Sequence, residues 1–319
     1  MDIDFDSALV YSIPMRNKFR RITVRNGMLL RGPAGWGEFS PFEDYSDAEV
    51  VPWLAAAVET TLRPWPTPVR TRIPINCTVP VVAPERAAEI VRASGCATAK
   101  VKVADPGASI VEDCERVAAV RDALGPTGAI RVDANAAWDV DTAVAAIREL
   151  DKAAGGLEYV EQPCPDLDEL AAVRRRVDVR IAADESIRRA EDPLRVAVAG
   201  AADVAVLKVQ PLGGVARTLA VAEACGLPCV VSSAVETSVG LAAGLALAAA
   251  LPELDFACGL GTMSLLTSDV VPDSLRPVDG WLPVPTTPPA PEVSLLHADE
   301  AVTTYWRARL RRVAALGAR

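Results

Sequence analysis

Positive charge is scarce in this chain. The 319 residues carry 33 lysines and arginines against 42 aspartates and glutamates, which gives a formal net charge of −9. Nucleic acids and anionic membranes bind clustered positive charge, so neither is expected as a partner. The one basic run, Arg174-Arg175-Arg176, is short and typical of the solvated end of a helix.

Long apolar runs and a disulfide framework are missing as well. The longest uncharged stretch, between Glu236 and Glu253, is interrupted by Gly240 and Gly244 and is too short to span a bilayer, so it predicts a buried helix. The acidic N-terminus lacks the features of a secretory signal. The seven cysteines show no zinc-type spacing and favour small core residues in a reducing compartment. We expect a cytoplasmic protein, of an oligomeric state that the sequence does not determine.

What the chain has is apolar material for a large core and a regular alternation of elements. Half of the residues are hydrophobic and the mean hydropathy is +0.21. Strands are predicted at 72–79, 97–103, 129–135, 157–162, 179–184, 203–209, 228–233 and 254–259. Helices are predicted between them near 85–94, 109–124, 139–151, 166–176, 190–199, 214–225 and 237–251. This alternation predicts an α/β fold whose parallel sheet closes as a barrel, with an open sheet as the alternative.

Two further regions flank this alternation. The first 72 residues predict a small α+β unit with a hairpin (7–13 and 18–31), a glycine-punctuated loop from Gly35 to Phe42, and a helix at 47–62 that Ser46-Asp47 begins. Beyond residue 270 the chain is irregular and rich in proline until a final helix at 298–316.

Charged residues recur where the predicted strands end. Lys100 and Lys102 alternate with valines, so both ammonium groups lie on one face of a strand. That pattern alone also fits an exposed edge strand. The strands that follow end at Asp133, Glu161, Asp184 and Lys208, at intervals of about 23 to 31 residues. Such spacing approaches the ~30 residues of one βα unit, which brings all these residues to the C-terminal mouth of a barrel.

Three carboxylates at one mouth repel each other unless positive charge lies between them. Ligation by oxygen alone, without histidine or cysteine, favours a hard cation, so Mg²⁺ is predicted at Asp133, Glu161 and Asp184, with Mn²⁺ as an alternative. Lys102 and Lys208 would then flank the metal from opposite sides of the barrel.

The order Lys-x-Lys, Asp, Glu, Asp, Lys along successive strands resembles the enolase superfamily, in its muconate-lactonizing subgroup. The resemblance covers nearly the whole chain. It implies a modified TIM barrel, (β/α)7β, over residues 73–270, with an α+β capping domain built from residues 1–72 and a C-terminal segment, 271–319, that returns to the cap. Within the subgroup, the chain is similar to the o-succinylbenzoate synthases in three motifs: Arg131-x-Asp133-x-Asn135, Glu161-Gln162-Pro163 and Ser232-Ser233.

This resemblance implies a lyase that acts on a small carboxylate and abstracts the proton α to the carboxylate, which gives a metal-stabilised enediolate. The expected reaction is the dehydration of 2-succinyl-6-hydroxy-2,4-cyclohexadiene-1-carboxylate to 2-succinylbenzoate, in menaquinone biosynthesis. Lys102 is the expected base, which requires its pKa to fall from ~10.4 to roughly 7–8. Lys208 would stabilise the enediolate and Lys100 would be a supporting cation.

Other residues receive supporting roles from the same resemblance. Asn135 and Arg131 are expected to orient the groups around the metal and to help bind substrate. Ser232, Ser233 and the backbone of Gly259 are expected to receive the distal carboxylate, although strand-end hydrogen bonding explains the serines equally well. Two cap segments, Met15–Arg20 and Phe39–Tyr45, are expected to select the substrate.

Relatives with other chemistry fit less well. His297, the one histidine, lies beyond the barrel, which excludes the subgroup that uses a His–Asp dyad. The segment Gly259-Leu260-Gly261-Thr262 lacks the two acids that dipeptide epimerases use. An N-succinyl- or N-acylamino acid racemase stays open because it also needs two lysines, and a non-catalytic metal-binding barrel is the alternative from another class.

Overall fold

The computed structural model describes residues 3–20, 22–188 and 195–317. Its strands are β1 (Leu9–Phe19), β2 (Ile22–Gly32), β3 (Gly35–Phe39), β4 (Arg72–Pro74), β5 (Asn76–Val79), β6 (Thr98–Lys102), β7 (Ala129–Asp133), β8 (Tyr159–Glu161), β9 (Ile181–Ala183), β10 (Val204–Leu207), β11 (Cys229–Val231) and β12 (Trp281–Pro283). Its helices are α1 (Val51–Leu62), α2 (Pro84–Ser94), α3 (Ile110–Leu124), α4 (Val140–Ala154), α5 (Leu167–Arg174), α6 (Glu185–Arg188), α7 (Arg195–Val198), α8 (Val209–Leu212), α9 (Val215–Cys225), α10 (Ser238–Ala250) and α11 (Glu300–Gly317).

The N-terminal unit is an antiparallel sheet of β1, β2 and β3, against which α1 and α11 pack. The segment from Gly35 was predicted as a loop, and that prediction is wrong, since Gly35–Phe39 pairs with β2. Its glycines serve close packing: a Cβ on Gly37 would lie 2.2 Å from the carbonyl oxygen of Ala57 in α1. This sheet therefore approaches its helix at backbone distance.

Helix α1 begins at Val51, four residues later than predicted. Ser46 and Glu49 hydrogen-bond to each other in a preceding turn, so Ser46 does not cap the helix. Pro52 provides the start, because its fixed φ suits the first helical turn and its missing N–H costs nothing there.

The central sheet is parallel and has the strand order β11-β10-β9-β8-β7-β6-β5. The predicted strand at 254–259 is not a strand in the structure. Only two isolated bridges form there, Cys258 with Ile75 and Gly259 with Ser232. These bridges join the first barrel strand to the last and close the cylinder. The parallel sheet is therefore a closed barrel, and the open-sheet alternative is wrong. The amide of Gly259 donates to Val231 O at 2.8 Å, and the amide of Cys258 donates to Pro74 O at 2.7 Å.

Other differences from the sequence prediction lie at the ends of the barrel. The strand predicted at 72–79 is divided into β4 and β5, and β4 pairs with β12 from the proline-rich tail. The second half of the helix predicted at 190–199 contains α7. The first half of that prediction lies outside the described residues. The domain boundaries at 72 and 270 stay a prediction.

Helix α10 is buried on nearly all sides, as predicted for the longest uncharged stretch. Within the described part of the chain, no helix combines the length and the apolar character needed to cross a bilayer. All seven cysteines are free thiols.

Candidate active site

The predicted charged residues meet at the C-terminal end of the barrel. Lys102 is in register with Asp133, and Asp133 with Glu161, on the neighbouring strands β6, β7 and β8. Asp184 and Lys208 directly follow β9 and β10. Three strands separate β6 from β10 in the sheet, so the lysines of these two strands face each other across the cylinder.

The lysines and the carboxylates pair directly. Lys100 Nζ lies 3.1 Å from Asp133 Oδ2 and 3.0 Å from both oxygens of Glu161. Lys102 donates a short hydrogen bond to Asp133, and Lys208 Nζ lies 2.5 Å from Asp184 Oδ2. Each of the three acids is only 1% exposed. Charges buried this completely are held by their mutual pairing, because isolated charges pay a large desolvation cost.

The electrostatics of this cluster depend on position. Burial lowers the pKa of Lys102, and the charge of Asp133 opposes this effect only in part. Burial alone would also lower the pKa of Lys100, but the charges of Glu161 and Asp133 outweigh it and raise that pKa. Burial and the nearby Asp133 charge raise the pKa of Glu161 to about 7. Of these two lysines, Lys102 is the one whose pKa is shifted in the direction that a base requires.

The acids fit a divalent cation in donor type and in placement. They supply oxygen alone, they end adjacent strands, and the charges of Asp133 and Asp184 add to burial in raising the pKa of Glu161. Their present side-chain conformations do not form a finished ligand set: among the described residues, no three acidic, thiol or imidazole groups converge closely enough to hold an ion. The ammonium group of Lys100 lies between Asp133 and Glu161 instead.

A cavity lies above this cluster. Its enclosed part measures about 30 Å³, and it adjoins a space of about 480 Å³ that shares Phe19, Arg20, Lys102 and Asn135 with it. Its walls come from the cap and from the strand ends: Phe19, Arg20, Phe42, Thr78, Lys100, Lys102, Asn135, Lys208, Ser232, Ser233, Ala234, Val235, Gly259 and Thr262. Both predicted cap segments, Met15–Arg20 and Phe39–Tyr45, thus reach the cavity.

Asn135 and Arg131 have different surroundings. Asn135 Oδ1 accepts from Lys102 Nζ at 2.7 Å, so Asn135 holds the lysine expected to act as base. Arg131 points into the barrel interior, where it donates to Glu158 at 2.5 Å and to Ala257 O at 2.6 Å. It does not line the cavity. The expectation that Arg131 binds substrate is corrected accordingly: one layer below the mouth, it fills and ties the barrel core.

The predicted carboxylate-binding residues lie at the mouth with their polar groups largely engaged. Ser233 Oγ is 2.7 Å from Thr262 Oγ1. Gly259 uses its N–H and its C=O for barrel closure, so its backbone cannot receive a carboxylate as expected. Glycine leaves room for Ser232, since a Cβ at this position would lie 2.5 Å from Ser232 Oγ and would require that side chain to move. Ser232 remains as a wall residue of the cavity.

Several wall residues escaped sequence analysis. Thr78 lies in β5 and Thr262 begins a 3-10 helix, Thr262–Leu265, neither with a charged signal, and Ala234 and Val235 look like ordinary apolar residues. Gln162, quoted only as part of a motif, proves to be a positioning residue: its Oε1 accepts from Asp184 N at 2.9 Å and its Nε2 donates to Ser186 Oγ at 2.7 Å.

Comparisons with known proteins agree with this architecture. A family model described as enolase C-terminal domain-like matches residues 83–288, and one described as enolase N-terminal domain-like matches residues 10–61. The chain belongs to the enolase superfamily. The C-terminal model covers the barrel from α2 onward, with the lysines and carboxylates of its mouth from Lys100 to Lys208.

Individual relatives are close. The chain is 66% identical over 274 residues to a Thermobifida fusca protein named o-succinylbenzoate synthase, with 86% of each chain covered. It is 54% identical to a Mycolicibacterium smegmatis protein of the same name, over 93% of this chain and 92% of the relative. Among solved structures, an L-Ala-D/L-Glu epimerase from Bacillus subtilis matches with a TM-score of 0.75 at 24% identity, over 91% of this chain and 97% of that one. At that identity the likeness shows the fold alone.

Members of this superfamily depend on a divalent metal and act on small molecules. Both properties agree with a buried, all-oxygen acid cluster beneath a small cavity.

Proposed function

We propose that this chain is an o-succinylbenzoate synthase, a lyase that dehydrates 2-succinyl-6-hydroxy-2,4-cyclohexadiene-1-carboxylate to 2-succinylbenzoate and water in menaquinone biosynthesis. One observation carries the proposal. Lys102 and Lys208 enter one cavity from opposite sides of the barrel, and the three acids end the strands between them. Two relatives that are 54–66% identical over most of the chain are named o-succinylbenzoate synthase, and this likeness supports the choice of substrate.

Asp133, Glu161 and Asp184 would hold the metal, for which we propose Mg²⁺, with Mn²⁺ as a substitute. When bound, it would supply positive charge where the substrate carboxylate gains electron density during proton removal. Lys100, which bridges Asp133 and Glu161, would keep these acids ionised and close to each other.

Lys102 would remove the ring proton α to the substrate carboxylate. Asn135 Oδ1 accepts a hydrogen bond from Lys102 Nζ. This contact would aim the lone pair of the neutral Lys102 amine at the ring carbon that loses its proton. Lys102, now protonated, would return the proton to the departing hydroxyl on the same face. One C–H and one C–O bond break, a ring double bond forms, and water leaves. Lys208 would stay protonated opposite and stabilise the negative charge.

The apolar walls suit the ring of this substrate. Phe19 and Phe42 from the cap and Ala234 and Val235 from the barrel all line the cavity, so they would offer hydrocarbon surface to a six-membered carbon ring. Ser232 and Ser233 remain our proposed contacts for the distal carboxylate.

A second activity has a specific observation in its favour. A 1,1-proton transfer on an N-succinylamino acid needs one base on each face of the substrate, and Lys102 and Lys208 stand on opposite sides of the cavity. Racemisation therefore stays the alternative activity of the same site.

The test measures both reactions on the purified protein with added Mg²⁺. Aromatisation of the cyclohexadiene substrate is followed by ultraviolet absorbance, and racemisation of N-succinylamino acids by optical rotation. We expect rapid aromatisation. Robust racemisation with no aromatisation would reverse the assignment. The absence of both reactions would favour a non-catalytic metal-binding barrel.

A further inference from the structure

Arg25 lies in β2 of the cap, is 2% exposed and does not line the cavity. Its guanidinium group nevertheless contacts two walls of that cavity. Nε donates to Val235 O at 2.9 Å and Nη2 to Ala234 O at 3.1 Å. The guanidinium carbon also lies 4.6 Å from the ring centroid of Phe42. One side chain thus joins the barrel wall to the cap wall from behind.

The wall segment that Arg25 holds is strained. Val235 has a φ of +63°, a left-handed conformation that β-branched residues adopt rarely. Such strain persists where surrounding contacts impose it, and it concentrates at binding sites. Here the carbonyl groups of Ala234 and Val235 are fixed by Arg25. The amide of Ala234 donates to Glu236 at 2.7 Å, and the amide of Val235 to Ser233 Oγ at 3.3 Å.

The same guanidinium group fixes the cap wall. Arg25 Nη2 donates a short hydrogen bond to Ser40 O and lies 3.1 Å from Ser40 Oγ. Ser40 is in turn linked to Gln210, two residues after Lys208: its amide donates to Gln210 Oε1 at 3.2 Å. The planar fork of arginine can span these separate acceptors at fixed angles, which the single ammonium group of lysine cannot do.

We infer that Arg25 is a positioning residue that sets substrate affinity, because it holds the strained Ala234–Val235 wall and the Phe42 wall at the separation that fits the substrate ring. This inference rests on the proposed function for the identity of the ring. The placement of the walls is a separate claim, which can be measured without turnover.

The test compares Arg25→Lys with the wild type and with a matched control, Arg70→Lys. Arg70 also uses its guanidinium group to hold backbone carbonyls, those of Ala248 and Leu251 at 2.6 Å and Pro252 at 3.0 Å, but it contacts no wall of the cavity. Both variants lose a bridge of the same chemistry. Only Arg25→Lys should affect the substrate.

The first measurement is steady-state kinetics with the cyclohexadiene substrate and Mg²⁺. Walls that touch the substrate equally in its ground and transition states affect KM rather than kcat. We expect Arg25→Lys to raise KM roughly tenfold, as the loss of charged hydrogen bonds behind the wall would do, with a much smaller change in kcat. Arg70→Lys should keep the KM of the wild type. An equal rise of KM in both variants would overturn the inference.

The second measurement is amide hydrogen exchange, followed by mass spectrometry on peptides that cover residues 233–238. In Arg25→Lys this segment should exchange faster while the rest of the barrel is unchanged, and in Arg70→Lys it should exchange as in the wild type. Unchanged exchange in Arg25→Lys would overturn the inference even if the wild type did not turn over this substrate. Absence of wild-type turnover with faster exchange would refute the proposed substrate and keep the positioning role.

A milder variant covers the case that Arg25→Lys does not fold. Ser40→Ala removes one acceptor of the guanidinium group and keeps the arginine. It should raise KM by a smaller factor and speed exchange in the same segment. A Ser40→Ala protein with wild-type KM and wild-type exchange would contradict the inference.

Discussion

Two regions of this molecule bury clusters of charge, and they use it differently. At the barrel mouth, three carboxylates are paired with the ammonium groups of three lysines. Where the cap meets α10, Glu38 and Glu236 are buried around Arg25, and their partners are hydroxyl groups and backbone amides. Glu38 accepts from Tyr11 OH at 2.7 Å, Ser40 Oγ at 2.6 Å, Thr237 Oγ1 at 2.5 Å and Gly240 N at 3.0 Å.

The difference lies in what the partners can do. Hydroxyl and amide donors at the interface are fixed by the fold, so the carboxyl groups there tie the cap to the barrel through hydrogen bonds in fixed positions. Lysine side chains at the mouth are flexible and end in a cavity, so their ammonium groups can exchange partners with a metal or a substrate. Both clusters are buried, but the lysines of the mouth reach the cavity that adjoins a space of about 480 Å³, whereas Glu38 borders a void of about 10 Å³.

The largest effect should come from removing the metal. We expect treatment with a chelator to lower the turnover of the cyclohexadiene substrate by a factor of roughly 10³ or more, because the metal supplies several kcal/mol to the transition state. Added Mg²⁺ should restore turnover. Thermal unfolding of the chelated protein serves as the control for the fold. Full activity in the chelated protein would refute the metal site. The charge cluster at the mouth would then, like the one at the interface, have no metal to bind.

Next is Lys102→Ala, which removes the expected base from the mouth. Proton transfer by a positioned side chain contributes about 10² to 10⁴ in rate, so kcat should fall by roughly 10³. Equilibrium binding of 2-succinylbenzoate, measured by calorimetry, should persist because the apolar walls remain. A variant that keeps kcat would show that the base lies elsewhere, with Lys208 as the first residue to examine.

Most charged residues of the mouth could be predicted from the sequence, whereas the interface cluster could not. The difference has a physical cause. Lys100, Lys102, Asp133 and Glu161 were identifiable because a strand has a period of two and parallel strands end at one face. Arg25 gave no such signal. Its importance comes from contacts with Ala234 and Val235, some 209 and 210 residues away, which no local periodicity encodes.

The same limit explains errors in the fold. β3 was misread because its glycines serve close packing on α1, and this reason is visible only once the two elements are in contact. The last barrel strand was overextended because Cys258 and Gly259 close the cylinder with isolated bridges rather than with a ladder.

A smaller effect is expected at the interface from Glu236→Gln. Burial, followed by the charge of Glu38, raises the pKa of Glu236 to about 7 from 4.5, while Arg25 lowers it in part. An acid with a raised folded-state pKa stabilises the fold below its unfolded pKa, and that contribution is lost as pH rises through 7. The loss amounts to about 3 kcal/mol.

Glutamine cannot ionise, and its Oε1 can still accept from Ala234 N. We therefore expect Glu236→Gln to match the wild type at pH 4 and to exceed it by up to about 3 kcal/mol at pH 8, measured by urea unfolding of both proteins. Parallel pH profiles for the two proteins would show that burial does not raise the pKa of Glu236 above its value in the unfolded chain.

The smallest effect, of opposite sign, is expected from Glu59→Gln. Glu59 belongs to α1 of the cap, is half-buried, and accepts from the first amides of α9: Val215 N at 2.5 Å and Ala216 N at 3.1 Å. A carboxylate at a helix N-terminus contributes about 0.3–1 kcal/mol, which the neutral glutamine forfeits. Urea unfolding at pH 8 should show this loss, with KM unchanged. Because the same change from acid to amide stabilises the protein at Glu236 and destabilises it at Glu59, the pair separates an acid that burial penalises from one that accepts hydrogen bonds at a helix N-terminus.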